Sequence, residues 1–568
     1  MPLATQYTEI FSNEPVGIPL AASDQVSDNY NGAVAIILLS YLALIQHSAP
    51  ECSTCPLHIE ISKLRSENAY WRQMHQQSVE REARQKEENA TLQAKLHLRE
   101  KQLFARKSEK KATPDFKLSD CNTDPKPRGQ QPGSTGHGRK NYCHLPTRVD
   151  LYELPANERC CPLCGLHYQY IGYETSETIE IEASTYRRVY QRQRYRRTCR
   201  CNTLPRTVTA PAPPKLIPKG ILGISVWVDI LLSKFMHMQP THRLLTDLRT
   251  RGLDLAAGTV TGGLQTLAPL FKPLYEAIIE KHLSEDRWQA DETRWQVFVT
   301  LEGKVGYRWY LWVFLSPSTV VYKLDPSRSA KVPLSHFSPT SKGIMVVDRY
   351  GAYKAVAKAT LILPAFCWSH VRRDFIDLAN SWPQQQDWAF RWLEDIRRLY
   401  HLNDLRLEVL SQPPLFVQRD RHLRTALEEM VQKQESQLRE PTLHPACQKV
   451  LQSLKNHWQG LTVFVDHPEV PMDNNGSERT LRGAVSGRKN FYGSGSLWSG
   501  DLTAMLFSLL QTLVIWKINP RLWLQAYLEA CAAHQGLPPE DYQSFLPWNM
   551  PATKLQAFSM NHQPPDTS

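Results

Sequence analysis

Three acids stand out by type and setting: Asp291 in Trp288-Gln-Ala-Asp-Glu-Thr-Arg-Trp295, Asp348 in Ile344-Met-Val-Val-Asp-Arg-Tyr-Gly-Ala-Tyr353, and Glu478 in Met472-Asp-Asn-Asn-Gly-Ser-Glu-Arg-Thr-Leu-Arg482. Carboxylates gathered in one place repel one another, so such a trio implies a divalent cation between them. In a two-metal phosphoryl-transfer site, two Mg²⁺ about 3.5–4 Å apart clamp the attacking and leaving oxygens of an in-line displacement. Mg²⁺ takes hard oxygen ligands and keeps several waters, so a few carboxylates and the substrate phosphate suffice. In this reading Asp291 bridges both ions, and Asp348 and Glu478 each close one side.

The segments around the acids indicate what positions them. Strands are expected at about 287–300, 306–316 and 319–324, an antiparallel meander whose first member carries Asp291. Asp348 follows the short apolar run 343–347. A further strand at about 360–367 leads into a helix bearing His370, Arg372 and Arg373. The long span before Glu478 is helix-like and charge-patterned over 383–455, an inserted helical subdomain. Glu478 then sits near the start of a helix opened by Asp473-Asn-Asn475, residues that favour capping. Amphipathic helices at about 499–517 and 521–534 complete the core, with Trp523 and Tyr527 as packing residues, and the chain beyond about Leu546 reads as disordered. Upstream, helices are expected at 222–238, 241–251 and 257–270. The last two resemble a helix-turn-helix, but Thr259-Val-Thr-Gly-Gly-Leu-Gln265 is poor in base-reading side chains, so they read as structural.

Gln289-Ala-Asp-Glu-Thr293, Cys367-Trp-Ser-His-Val-Arg-Arg-Asp-Phe375, Asp473-Asn-Asn-Gly-Ser-Glu-Arg479 and Gly487-Arg-Lys-Asn490 follow one another in order. Upstream stand Leu103-Phe-Ala-Arg-Lys-Ser-Glu-Lys110, Gly129-Gln-Gln-Pro-Gly133 and Cys161-Pro-Leu-Cys-Gly165. Over roughly residues 57–535 the chain resembles the large, TnpC-type transposases of insertion-sequence family sixty-six. The resemblance implies an Asp-Asp-Glu catalytic core of the ribonuclease H type on Asp291, Asp348 and Glu478, holding two Mg²⁺ with Mn²⁺ able to replace them. It implies cutting of transposon ends and transfer of the freed 3′-hydroxyl strands into target DNA. Gly476-Ser477 stands where the family often has small apolar residues, and Arg294 where a Pro is common. His370, Arg373, Arg488 and Lys489 are candidates for receiving DNA phosphates.

Length and charge bound the answer independently. A chain of 568 residues holds several domains, 42% apolar residues can form a substantial core, and 39 Pro point to linkers. A formal charge of +11 suits a polyanionic partner. The apolar run Ala33–Ile45 has thirteen residues, short of the ~20 a spanning helix needs, so no membrane role is expected. The first thirty residues lack a basic start, against a signal peptide. The expected location is the cytoplasm, associated with the nucleoid when bound to DNA, where twelve Cys favour thiols and metal over disulfides.

Cys161 and Cys164, with Cys199 and Cys201 further on, look like a zinc ribbon holding a structural Zn²⁺, although the second pair has a C-x-C spacing. Between them, an extended strand puts Tyr186, Arg188, Tyr190, Arg192, Arg194 and Arg196 on one face, a match for a phosphate track. Residues 57–103 read as a charge-rich helix with an interrupted heptad seam. Leu57, Leu64, Trp71 and Leu92 occupy one column; Ile61, Leu96 and Leu103 share the other with Asn68 and Asn89. This seam suggests a homo-oligomer on DNA.

The expected architecture is α/β and multidomain: a ribonuclease H-like catalytic core with a helical insertion, preceded by a coiled-coil-like helix and a zinc-ribbon-like module. Its divisions are 1–56, poorly defined; 57–110, long helix; 111–145, basic flexible linker; 146–215, zinc-ribbon-like DNA-binding module; 216–284, helical region; 285–382, first part of the core; 383–455, helical insertion; 456–535, second part of the core; and 536–568, tail. Expected partners are the terminal inverted repeats, target DNA and helper proteins encoded by the same element. Two other readings fit the same residues: a ribonuclease H-like nuclease without strand transfer, and a catalytically inactive, transposase-derived DNA-binding protein.

Overall fold

The computed structural model describes residues 56–104, 185–196, 207–303 and 306–560, with positions 155, 159, 163–164, 166–167, 169 and 171. The apolar run 33–45, the linker 111–145, Cys161, Cys199, Cys201 and residues 561–568 lie outside the described residues. The chain divides into two compact units, residues 1–96 and 97–568.

Helix α1 (Pro56–Phe104) runs 49 residues. After Pro56 it contains neither Pro nor Gly, and each residue adds ~1.5 Å of rise. Of the apolar members of the expected seam, Leu64, Trp71, Leu92 and Leu96 are each more than half exposed and Ile61 is partly buried.

The short strands β1 (Arg194–Arg196) and β2 (Thr207–Thr209) pair antiparallel. Residues 185–196 are exposed throughout, Arg188, Arg192, Arg194 and Arg196 included. Arg188 Nη2 donates to Tyr186 Oη at 2.8 Å. Of the four expected zinc thiols only Cys164 is described, and it is exposed and free.

Helices α2 (Ile224–Phe235), α3 (Thr241–Thr250), α4 (Ala257–Leu267) and α5 (Lys272–Leu283) lead into the sheet. Gly263 on α4 lies against the Trp227 ring, where any Cβ would collide. The sheet then forms from β3 (Arg287–Val297), β4 (Arg308–Leu315), β5 (Val320–Asp325), β6 (Lys342–Val347) and β7 (Leu361–Phe366), with α6 (Lys331–His336) and α7 (Gly351–Ala359) in the connections. Its order is β5-β4-β3-β6-β7. The first three strands are antiparallel, while β6 and β7 add in parallel. On β4, Leu311, Trp312, Val313 and Phe314 are all fully buried, because layers cover both faces of the sheet.

The insertion follows α8 (Trp368–Ser381) and consists of α9 (Gln386–Glu408), α10 (Pro413–Leu438), α11 (Pro445–Leu461) and the short α12 (Val463–Asp466). Arg406 on α9 is fully buried and ties these helices together. Its guanidinium donates to Asp420 Oδ1, Asn403 Oδ1 and the carbonyls of Phe464 and Val465, at 2.8 to 2.9 Å. Helix α13 (Asn475–Phe491), β8 (Gly493–Ser494), α14 (Leu497–Ile515) and α15 (Pro520–Ala533) close the core.

Two expectations at the C-terminal end are corrected. Helix α14 is not amphipathic but buried almost all round. It is long and apolar enough to cross a membrane by length and composition alone, yet its apolar window is 67% buried inside the protein. Its few hydroxyls have a task, because Ser508 Oγ and Thr512 Oγ1 accept the Tyr322 and Val320 amides of the outer strand β5, at 2.8 and 3.1 Å. The segment after Leu546 is ordered to residue 560. The Asn519 amide donates to Phe558 O and the Met560 amide to Lys517 O, and Ile518 bridges Ser559. Pro551, Pro564 and Pro565 point to disorder; up to residue 560, backbone pairing with the 517–519 segment overrides that signal. Trp523 and Tyr527 are fully buried, their rings stacked 5.2 Å apart.

Candidate active site

Strand register brings the first two acids together. β6 pairs with β3 only over Arg287–Gln289, with Gln289 opposite Val346. Two residues further along each strand, Asp291 is level with Asp348, which lies just past the end of β6. Pairing between the strands stops there, and α13 takes over the vacated edge of β3. Asn474 Nδ2 donates to Ala290 O at 2.8 Å, and Arg488 Nη1 donates to Arg294 O at 2.9 Å. At the start of α13 the Ser477 amide donates to Gln289 Oε1 at 3.0 Å. Gly476 is required beside this contact, since a Cβ there would collide with Gln289 Oε1. Glu478 is thereby fixed on the first turn of α13, over the β3 segment that carries Asp291.

The helix start differs from the expected cap. Asp473 Oδ1 accepts the Asn475 amide at 3.0 Å, but the side chain of Asn474, the N-cap residue, makes no cap hydrogen bond and reaches the sheet instead. Bridging the helix to Ala290 satisfies a strand carbonyl that β6 leaves unpaired, which a local cap would not do.

The three acids share one electrostatic field. Burial, opposed by the Glu292 amide, pushes the Asp291 carboxyl up to about 7, and the like charges of Glu292, Glu478 and Asp348 push the same way. One oxygen of each aspartate is pinned by a backbone amide: Asp291 Oδ1 accepts from Glu292 N at 2.8 Å, and Asp348 Oδ1 from Tyr350 N at 2.9 Å. No donor among the described residues reaches the second oxygen of either, and Glu478 makes no hydrogen bond or ion pair there. As placed, no three His, Cys, Asp or Glu side chains among the described residues stand close enough together to hold an ion. The donor set nevertheless fits Mg²⁺: hard carboxylate oxygens, like charges that repel until a cation lies between them, and free coordinating atoms.

Glu292, adjacent to Asp291, is occupied otherwise. Its side chain is 3% exposed, accepting from Tyr353 Oη at 2.6 Å and from Arg328 Nε at 2.7 Å. Arg328 also lies over the Tyr350 ring, 4.3 Å from its centroid. The Gln-Ala-Asp-Glu-Thr motif thus holds one acid with a free oxygen and one that is fully engaged. Sequence reading missed Gln289, Glu292, Arg328, Tyr353 and Asn474 as positioning groups, because their partners are 36 to 188 residues away.

The expected phosphate contacts fall in two settings. His370 and Arg373 stand on α8, His370 within the electrostatic reach of Asp348 and Glu478. Burial lowers the His370 imidazole below its ordinary value, while Asp348 and Glu478 pull it up and Arg373 and Arg349 push it down. Its Nδ1 is buried with no hydrogen-bond partner. Arg373 is exposed. Arg488, on the last turn of α13, also donates to Thr293 Oγ1 at 2.9 Å, and Lys489 beside it is exposed.

A mixed sheet with a parallel addition beside a meander, acids at its centre and helices on both faces, is an architecture consistent with a ribonuclease H-like catalytic region. The chain belongs to the IS66 family of transposases, a DDE-type family whose model matches residues 219–502, half the chain and all three acids. It is similar to proteins of Sinorhizobium fredii (strain NBRC 101917 / NGR234). Uncharacterized protein y4jD is 26% identical over 453 residues, covering 76% of this chain and 87% of that one. Uncharacterized protein y4hP is 25% identical over 425 residues, covering 70% and 74%. No solved structure matches the chain.

Proposed function

We propose that the protein is a DNA transposase that hydrolyses a phosphodiester at each transposon end and joins the freed 3′-hydroxyl to target DNA, with Asp291, Asp348 and Glu478 as catalytic metal ligands. The observation that carries this reading is the alignment of Asp291 with Asp348 on neighbouring strands, under the helix turn that bears Glu478. Two Mg²⁺ held there would lower the pKa of the attacking water or 3′-hydroxyl and offset charge on the phosphate. The chain's own residues do the positioning. Backbone amides fix one oxygen of each aspartate, leaving the other for a ligand. Arg328 and Tyr353 hold Glu292 away from that role. His370, which feels the charges of Asp348 and Glu478, and Arg373 on the next turn of the same helix are proposed to orient the bound phosphate.

DNA ends and target are the proposed substrates, with helper proteins from the same element as further partners, in the cytoplasm and on the nucleoid. The exposed apolar positions of α1 support pairing of two copies on DNA. The exposed arginines of 188–196 support a phosphate track, and a structural Zn²⁺ on Cys161, Cys164, Cys199 and Cys201 is proposed for the same module.

The test is cleavage and joining of a labelled terminal-repeat duplex with a target plasmid in Mg²⁺. Asp291→Asn, Asp348→Asn and Glu478→Gln should each lower cleavage at least a thousandfold while DNA affinity is retained. Equal cleavage by wild type and these variants refutes the assignment, and cleavage without joined product favours a nuclease.

A further inference from the structure

Past Asp291, the exposed face of β3 and β4 opposite to that acid turns basic and aromatic. Arg294 pairs with Tyr310 and Gln296 with Arg308, so Arg294 and Arg308 are diagonal neighbours on one face, a spacing of about 7–8 Å. Arg488 enters from α13. With Trp295, Gln296 and Tyr492 these arginines line a cavity of about 280 Å³. A second cavity of about 700 Å³ shares Gln296 and Arg308 and continues past Tyr307 and Tyr310 to Arg328. Among the described residues no Asp or Glu lines either one, and Glu292, the acid of β3 on this face, is held by Arg328 and Tyr353. Arg294 and Arg308 have no ion-pair partner among the described residues, and Arg488 is held only by a hydroxyl and a carbonyl. Like charges packed this closely without an acid repel, and a bound anion would relieve the repulsion.

Tyr492 supplies an independent observation. It follows α13 with φ 65° and ψ −35°, a conformation unfavourable for a side chain that bears a Cβ. Its ring is nevertheless 67% exposed, so core packing does not account for the strain. Tyr307 is also exposed. Guanidinium groups with free aromatic faces are the combination that binds unpaired nucleic acid, cations taking the phosphates and rings stacking on bases. Cavities of this size suit individual nucleotides. Arg294 lies three residues from Asp291, about 10 Å along the strand and on the opposite face of the sheet, so a strand of DNA leaving Asp291 reaches the arginines by crossing the edge of β3 that β6 leaves unpaired, where Arg488 meets Thr293 and Arg294.

We propose that this cleft binds a separated single strand of DNA that leaves the acid site over the open edge of β3, with Arg294, Arg308 and Arg488 on its phosphates and Tyr492 stacked on a base. The proposal rests on the transposase reading for the identity of the strand, but its test needs no catalysis. Fluorescence anisotropy with the full chain in EDTA would compare a labelled 12-nucleotide single strand with its duplex. The double variant R294Q/R308Q should weaken single-strand binding about tenfold or more and lower the log–log salt slope by about 1.4, two phosphates at ~0.7 each. Tyr492→Gly should weaken it about fivefold or more, while the thermal midpoint holds or rises because Gly adopts positive φ without strain. Photocrosslinking of an oligonucleotide carrying 5-iodouracil should label Tyr492 or Tyr307, which separates this cleft from the basic segments upstream. Wild-type affinity in both variants, equal losses for duplex and single strand, or crosslinks confined to other regions would overturn the proposal. Failure of cleavage by the wild type would count against the catalytic reading and leave this result standing.

Discussion

Replacing Asp291 by Asn should stabilise the ligand-free fold while abolishing cleavage, and the size of the effect should depend on pH. Asp291 titrates near 7 in the fold against 3.8 unperturbed, chiefly through burial. Between those values the folded chain binds a proton that the unfolded chain releases, so this group's contribution to stability falls as pH rises through the window and levels off above 7. At ~1.36 kcal/mol per pH unit the full loss above pH 7 is about 4 kcal/mol, of which roughly 1.5 is already present at pH 5. Partial solvent contact makes these figures ceilings. Asn keeps the amide contact at Oδ1 and does not titrate. Urea unfolding in EDTA, followed by tryptophan fluorescence, should therefore find Asp291→Asn more stable than wild type, with a gap larger by about 1–2.5 kcal/mol at pH 8 than at pH 5. Mg²⁺ should stabilise the wild type and not the variant. A gap that stays constant or shrinks between pH 5 and pH 8 would refute the claim that Asp291 is a strained, buried carboxyl awaiting a cation.

Two further predictions probe the supports of the site. Asn474→Ala removes the bond to Ala290 O and should cost about 1–3 kcal/mol; because it frees the turn carrying Glu478, it should also slow cleavage at least tenfold with DNA affinity unchanged, and an unchanged rate would show that the clamp does not position the acid. In the core, burial drives His282 down to about 3 and His336 well below its ordinary value, so the unfolded chain binds more protons below pH 6.5 and stability falls with pH through that range. His282 alone should contribute a loss of about 2 kcal/mol at pH 5, so the stability of His282→Phe relative to wild type should shift by about that much in the variant's favour between pH 7 and pH 5, whatever Asp291 and His336 contribute to both; a gap that does not change with pH would refute it.

The sequence alone determined much of the local structure. Strands expected at 287–300, 306–316 and 319–324 form at Arg287–Val297, Arg308–Leu315 and Val320–Asp325, because apolar and β-branched runs bounded by turn residues carry that signal within a few positions. The helical insertion, and the helices before the sheet, announced themselves by periodicity for the same reason. Where hydrophobicity was continuous, as in α14, pattern could not tell a fully buried helix from an amphipathic one.

Only the tertiary structure decided what the acids are to one another. Types and local motifs singled out Asp291, Asp348 and Glu478, but that the first two stand level depends on where β6 stops pairing with β3. That Glu292 is engaged while Asp291 keeps a free oxygen depends on Arg328 and Tyr353 arriving from other elements. The Arg-lined cleft likewise exists only because β3 and β4 pair in a register that sets Arg294 beside Arg308. Residue type and near-neighbour pattern are written along the chain, whereas charge repulsion, burial and hydrogen-bond partners arise between segments up to nearly three hundred residues apart, and so are fixed only once the chain has closed on itself.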